Sequence, residues 1–389
     1  MRITISLIFC LLTVSLTLEA QQVVTGRVTD RYDDTPIPGA TVFIAHTTIG
    51  TLTDIDGNFS ITVPIQGNFI IVVSHIGFQS ASRTIDTPQP SHQINFALQG
   101  NILDELVVTP GLPHSRRDEN LFWRLFLGER PSNSGMQVLN PEVVRFVLTT
   151  FGTLRAFADE PIEIINHNMG YQISYVLHNF EHNFDNNETL LRGMPLFTEL
   201  TPQNERQRDN WERRRRIAYS ISLTHFIRAL YQEELSERGF LLAKVHPTEQ
   251  HRLVSLSLTQ TDSIRMGIGG RRVAERAVAF SYSHILRRDA ESVQLTIAQP
   301  TFLALTSTPI RYDMYSEPYR TFFSRSATFP LIRLMPLSMT IYADGSYSGL
   351  LHFLEYRDTV FGLRSRLPME FGVDESPAQV VRVPLRRRL

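Results

Sequence analysis

Between Val23 and Leu98 apolar and polar residues alternate, with turn residues at short intervals. In VVTGRVTD, Val24, Gly26 and Val28 fall on one side and Val23, Thr25, Arg27 and Thr29 on the other, the period-two pattern of a half-buried strand. Ala40–Ala45 and Gln93–Leu98 alternate in the same way, and the latter predicts a strand that closes the sheet. Phe69–Val73 is a continuous apolar run, which suits a strand covered on both faces. Asp56-Gly57, between Gly50–Thr53 and Phe59–Val63, predicts a tight hairpin because these residues accept positive φ. The spacing of these signals predicts about seven short strands in an antiparallel arrangement.

Residues 101–117 lose the alternation and contain Pro110, Gly111 and Pro113, the composition of a linker. Beyond it, Leu121, Phe122, Leu125 and Phe126 share one side of a short helix predicted over Asp118–Leu127. Strand-like runs follow at Val143–Thr149, Leu154–Ala158, Ile162–Asn166, Tyr171–Phe180 and Leu190–Leu200. From Gln203 to Arg238 the composition turns helical, with Trp211, Ile217, Ile221, Phe226, Ala229 and Leu230 near one face. Val254–Leu258 reads as strand, the pattern weakens to Ala327, and Met339–Tyr342 and Leu350–Leu354 flank an Asp344-Gly345 turn. The pattern therefore predicts two domains: an all-β unit over residues 21–100 and an α+β unit over 118–389.

Taken together, the segments GRVTD, PIPGATV, GTLTDIDGNF, SHIGF and the trailing DELVVT resemble the carboxypeptidase regulatory-like domain. That resemblance implies a transthyretin-like, seven-stranded β-sandwich of the kind found at the amino end of TonB-dependent outer-membrane receptors of Gram-negative bacteria. It covers about the first quarter of the chain and implies an accessory folding or binding role, without peptidase chemistry. In such receptors the segment like Asp104–Thr109 leads toward the TonB-interacting region, a plug and a barrel. Here the remaining residues are too few, since each spanning strand takes about 10 residues and such a barrel needs more than about 20 strands. Further on, LNPEVVRF, ADEPIEIIN, GYQISY, RGMPLFTEL, WERRRRIAYS and HFIRAL resemble the second domain found behind this sandwich in exported proteins of uncharacterised function. That second resemblance spans about residues 120–245 and implies no site.

Composition narrows the setting. The 389 residues are 42% hydrophobic and 20% charged, ordinary for globular domains, and a formal net charge of -1 argues against nucleic acid as the main partner. The positive charge is almost all arginine, with Lys244 the only lysine. Residues 1–20 read as a secretory signal peptide: Arg2, an apolar core over Ile3–Leu16, and a cleavage site at Leu18-Glu19-Ala20. No long apolar segment follows, so the mature chain is expected to have no transmembrane span. Cys10, the only cysteine, lies in the leader, which leaves the mature chain without cysteine chemistry or disulfides. The expected location is the periplasm or the outer membrane.

Candidate chemistry is sparse. His178-Asn179-Phe180-Glu181-His182 fits H-x-x-E-H, in which His178 and His182 would bind zinc and Glu181 would act as the catalytic base. Two histidines four apart meet at one metal only on a helix, whereas the preceding Tyr171–Leu177 alternates as a strand. On a strand the two would share a face about 13 Å apart, too far for a common ion. Asp54 and Asp56 before Gly57 begin a calcium-loop pattern, but no Asp or Glu between Ser60 and Gly67 closes it, so a turn is the better reading. Trp211, Arg213, Arg216 and Tyr219 form a candidate anion- or sugar-binding face, against a solvated helix face neutralised by Glu205, Asp209 and Glu212. No cofactor is indicated. The sequence reads as a non-catalytic exported envelope protein that binds or assembles with a glycan or protein partner. The alternatives are a zinc metallopeptidase and an accessory piece of a TonB-dependent uptake or signalling system.

Overall fold

The computed structural model describes residues 22–65, 67–86, 91–100, 115–128, 135–185, 188–220, 222–235, 238, 240–244, 253–258, 263–268, 271–276, 285–289, 292–297, 301–305, 331–334, 337–348, 353–356, 363 and 366–372. The predicted leader and most of the predicted linker lie outside these residues. The fold is mostly β, with several sheets and few helices.

Strand β1 (Gln22–Asp30) is the centre of the first sheet. After it come β2 (Thr41–Ile44), β3 (Gly50–Leu52), β4 (Asn58–Val63), β5 (Phe69–Ser74), β6 (Ala81–Ile85), β7 (Ser91–Gln93) and β8 (Phe96–Leu98). On one side β1 pairs antiparallel with β4; on the other it runs parallel to β7 and then β8, so the arrangement is mixed where alternation predicted antiparallel. The second sheet has the order β3-β2-β5-β6. Val24, Val28, Phe59, Ile61 and Val63 of the first sheet meet Val42, Ile44, Ile71 and Val73 of the second in one buried cluster.

β7 and β8 are one strand interrupted at Ile94-Asn95. There the Ile94 N–H donates to the Thr25 carbonyl at 2.8 Å, and the Asn95 side-chain oxygen accepts the Arg27 N–H at 3.0 Å. This draws the interruption onto β1 so closely that a Cβ on Gly26 would lie 1.7 Å from the Ile94 carbonyl oxygen. The Asp54–Asn58 turn is tight, as Asp56-Gly57 predicts: the Asp54 carboxylate accepts N–H bonds from Asp56 and Asn58 at 3.0 and 2.7 Å, and Gly57 has φ +77°. It does not close a hairpin, however, because β3 pairs with β2 and β4 with β1. The turn carries the chain from one sheet to the other.

The second sheet system is built on β13 (Tyr171–Asn183). One edge pairs along its length with β14 (Glu188–Glu199). The other edge takes β12 (Ile162–Asn166) against its first half and β11 (Thr153–Ala158) against its second. Outside these lie β9 (Met136–Val138) and β10 (Val144–Leu148). The strands predicted from alternation in this stretch are all present within a few residues. Helix α1 (Arg116–Leu127) starts inside the predicted linker, because Ser115 caps it: the Ser115 N–H donates to the Asp118 carboxylate at 2.8 Å. Its Phe122 and Phe126 stack on each other at 5.3 Å and meet Phe180 and Tyr175 edge-on, each at 4.8 Å.

The single helical stretch expected over 203–238 is two helices, α2 (Glu205–Ser220) and α3 (Leu223–Tyr231). Ser222 starts the second, its hydroxyl accepting the His225 N–H at 3.1 Å. Beyond them, the stretch where the pattern weakens contains strands at Ser263–Ile268, Arg271–Arg276, Leu286–Arg288, Val293–Ile297 and Thr301–Leu305. The Asp344-Gly345 turn is present between Leu337–Ile341 and Tyr347–Ser348, earlier than the second flanking strand expected at Leu350. Among the described residues no helix is long and apolar enough to cross a membrane.

Gly26→Ala must push Ile94 off β1 and detach the interrupted strand. We expect a loss of about 3 kcal/mol, measured by denaturant unfolding of the full chain. An unchanged midpoint would show that the strand yields freely.

Candidate functional site

The sandwich is joined to the β13–β14 sheet through the end of β2. Past Ile44 the chain lays His46 and Thr47 along the outer edge of β14: the His46 N–H donates to the Pro195 carbonyl at 2.7 Å and the Phe197 N–H to the Thr47 carbonyl at 2.9 Å. Beneath this bridge, Phe43, Ala45 and Val72 on the outer face of the sandwich are buried against Val176 and Met194, with Ile70 and Leu196 at the margin. Each large apolar side chain buried contributes roughly 1.5–3 kcal/mol, against about 1 kcal/mol for a backbone hydrogen bond. The apolar contact therefore supplies most of the stability of the seam, and the hydrogen bonds fix its register.

Polar groups line the same seam. His46 adopts the left-handed region at φ +67°, which is unusual for a residue with a side chain. Its N–H and carbonyl are both engaged there, the carbonyl accepting the Met369 N–H at 2.8 Å. Glu370 reaches Thr48 from the other side, one carboxylate oxygen accepting the backbone N–H at 2.7 Å and the hydroxyl at 2.9 Å. Burial first, and the Arg366 charge second, hold the His46 imidazole down at about 3. Burial likewise raises the phenols of Tyr175 and Tyr347, which Arg366 partly offsets.

Two arginines hold the supporting elements. Arg215 donates to the carbonyls of Met169 and Gly170 at 2.8 and 3.2 Å and to Glu199 at 2.9 Å, with its guanidinium 4.0 Å above the Tyr171 ring. Arg228 donates to the carbonyls of Asp344, Met369 and Phe371 at 3.0, 2.8 and 2.8 Å and to the Tyr219 hydroxyl at 3.0 Å. Nothing in the sequence distinguished Arg215 and Arg228 from their neighbours. The one pointer was the near-exclusive use of arginine, whose planar fork serves several carbonyls at once.

At the opposite end of the sandwich no other sheet is packed among the described residues. Three turns meet there: the one after β1, beside Leu98; Asp54–Gly57, beside Val28; and His75–Phe78, beside Gln99 and Gly100. Each presents an apolar side chain to solvent: Tyr32 is 97% exposed, Ile55 81% and Ile76 80%. Around them stand Asp30, Asp33, Asp34, Asp54 and Asp56, against Arg27 and Arg31. Thr35 hydrogen bonds hold the Asp33 carboxyl below its usual range.

The residues singled out from sequence fall elsewhere. The H-x-x-E-H segment is on β13, as the alternation required, but His178 is the extra residue of a β-bulge between Leu177 and Asn179. The bulge shifts the alternation, so the two histidines do not share a face: His178 is exposed, while His182 is buried with Phe180 and its Nδ1 lies 2.8 Å from the Thr189 hydroxyl. Glu181 faces away and pairs with Arg155 at 3.2 Å. Asp54 is occupied by its own turn, and Asp56 gives its backbone carbonyl to Arg27 Nε at 2.9 Å. Trp211 and Tyr219 are core residues: Trp211 packs on Gly170 and donates to the His167 carbonyl at 2.9 Å, and Tyr219 stands under Arg228. Arg213 is exposed and donates to Asn210 at 2.7 Å; Arg216 pairs with Glu212 at 2.9 Å. The four residues thus form no common face. Among the described residues no three acids, histidines or cysteines gather as a metal site.

The sequence of the sandwich has counterparts in known proteins. Residues 24–108 match the CarboxypepD_reg-like domain family. Over this domain the chain is similar to the TonB-dependent receptor P39 of Formosa agariphila, 38% identical over 94 residues, which are 23% of this chain and 8% of that protein. It is similar also to the TonB-dependent receptor SusC of Bacteroides thetaiotaomicron, 40% identical over 91 residues, again 23% of this chain and 8% of that protein. The chain spans less than a tenth of the length of these relatives. A putative membrane-associated protein of unknown function from Bacteroides fragilis aligns in structure at 12% identity and a TM-score of 0.17, over 47% of this chain and 84% of that one. The CarboxypepD_reg-like domain accounts for the sandwich and leaves the β13–β14 sheet outside the match.

Two measurements bear on the seam. The folded-state values of His46, about 3, and of His225, lowered by burial to about 4, lie below the usual 6.5 of an unfolded imidazole. Both neutral rings therefore contribute stability that is fully present above pH ~6.5 and is lost as the pH falls toward those values. His46→Asn, which tolerates the left-handed backbone, should flatten the drop in melting temperature between pH ~7 and pH ~4.5; an identical slope would mean that the folded His46 titrates where the unfolded imidazole does. Arg228→Lys leaves several carbonyls without a donor and should cost about 2–3 kcal/mol, read by thermal unfolding.

Proposed function

We propose that this chain is an exported, non-catalytic envelope protein of two domains, a CarboxypepD_reg-like sandwich followed by an α+β domain, working in the periplasm or at the outer membrane. Its task is to hold the sandwich in a fixed orientation and present the sandwich's far end to a protein partner. The observation that carries this reading is the opposition of the two ends. One end is locked to β14 through His46 and Thr47, and the other exposes Tyr32, Ile55 and Ile76. Three large apolar side chains exposed on turns at one end of a domain suit an interaction site. The branched aliphatic Ile55 and Ile76 favour a protein over a glycan, since sugar rings stack on aromatic faces.

The relation to the amino-terminal region of TonB-dependent receptors supports an envelope accessory role. The scattering of His178, Glu181 and His182 supports a binding function over zinc peptidase chemistry. A photo-crosslinking residue placed at Ile55 in the full chain, expressed in its native cells, should give a discrete protein adduct in the envelope fraction. The same residue at Ser60 on β4 should not. A chain recovered from the cytosol, or equal adducts at both positions, would sink the reading.

A further inference from the structure

We infer that the free end of the sandwich is a docking surface for residues 380–389 of this chain, supplied by the same or a neighbouring copy. The inference rests on the reading that this end binds a protein segment and names its occupant. Tyr32, Ile55 and Ile76 present three apolar side chains on separate turns, and the first two of those turns with the ends of the flanking strands carry five aspartates against two arginines. A complementary segment must interleave apolar residues with positive charge. VVRVPLRRRL does so: Val380, Val381, Val383, Leu385 and Leu389 alternate with or flank Arg382 and Arg386–Arg388. It lies outside the described residues and carries four of the chain's positive charges with no acid among them. Its arginines match the carboxylates in sign, and a proline at position 384 disfavours a helical docking mode, which suits a segment whose successive side chains reach different turns.

The test uses a fluorescent synthetic peptide of residues 378–389 and the full chain in which Arg386→Glu, Arg387→Glu and Arg388→Glu disable its own segment. The peptide should bind saturably, and binding should weaken with added salt. Adding Tyr32→Ser, Ile55→Ser and Ile76→Ser should weaken it by at least about tenfold. These three side chains are exposed, so the melting temperature should not move. No saturable binding, or binding indifferent to the three serines, overturns the inference. Size-exclusion of the unmodified chain assigns the copy. A dimer dissociated by the arginine changes means a neighbouring copy, and a monomer that binds peptide only after those changes means its own. If the peptide fails while the envelope adduct at Ile55 persists, the docking of this segment is wrong and the binding function stands.

Discussion

The pairing of His46 and Thr47 with the edge of β14 is the constraint on which the rest of the arrangement depends. An edge strand of twelve residues presents a row of unpaired backbone groups that invites association. Part of that edge is covered here by the chain's own β2 extension. To reach it, the backbone must turn at His46 into the left-handed region, a cost of about 1–2 kcal/mol. The burial of Phe43, Val72, Val176 and Met194 beneath exceeds that cost severalfold. The strained residue is thus held by the contact it makes possible.

The same contact explains the apolar run of β5. A sandwich strand needs one apolar face, and Ile71 and Val73 supply it. Ile70 and Val72 are apolar because the β13–β14 sheet covers the outer face as well. Among the described residues the far end has no such cover. There the turns revert to aspartate and glycine, which form tight turns through their own side chains and backbone freedom, and their apolar members point outward. A single sequence therefore builds two ends of opposite character, one apolar and enclosed, the other apolar and open.

The parts of the fold that were legible in sequence are those governed by local periodicity. The strands over 144–199, the Asp54–Gly57 turn and the double-sided burial of Phe69–Val73 follow from side chains that alternate or fail to alternate. What periodicity could not reach was partnership. Asp56-Gly57 specifies a tight turn but not which sheet receives the next strand, a matter decided by Thr53 bonding toward Ala40 while Asn58 pairs with Arg27. Likewise the bulge at His178 removes the shared face that strict alternation assigns to His178 and His182. At the bulge Leu177 opposes Gly193, which sits against the Tyr175 ring, a cross-strand contact that periodicity along one strand does not reveal.

Neither sequence reading of the segment around Trp211, Arg213, Arg216 and Tyr219, a binding face or a solvated helix face, anticipates its buried members. Four consecutive arginines on a helix point in different directions, and Arg215 alone turns inward to Tyr171 and Glu199. Buried, it offers one donor group to each of three acceptors, an arrangement that a lysine's point charge could not reproduce. Arg228 repeats the device on the segment 366–372, and through Glu370 and Met369 that segment returns to Thr48 and His46. The arginine clamps and the β14 bridge therefore form one connected support beneath the sandwich. Loosening any member would free the sandwich to tilt. Held in this way, the sandwich keeps Tyr32, Ile55 and Ile76 in one fixed arrangement, which under the proposed function spares a partner the cost of ordering them.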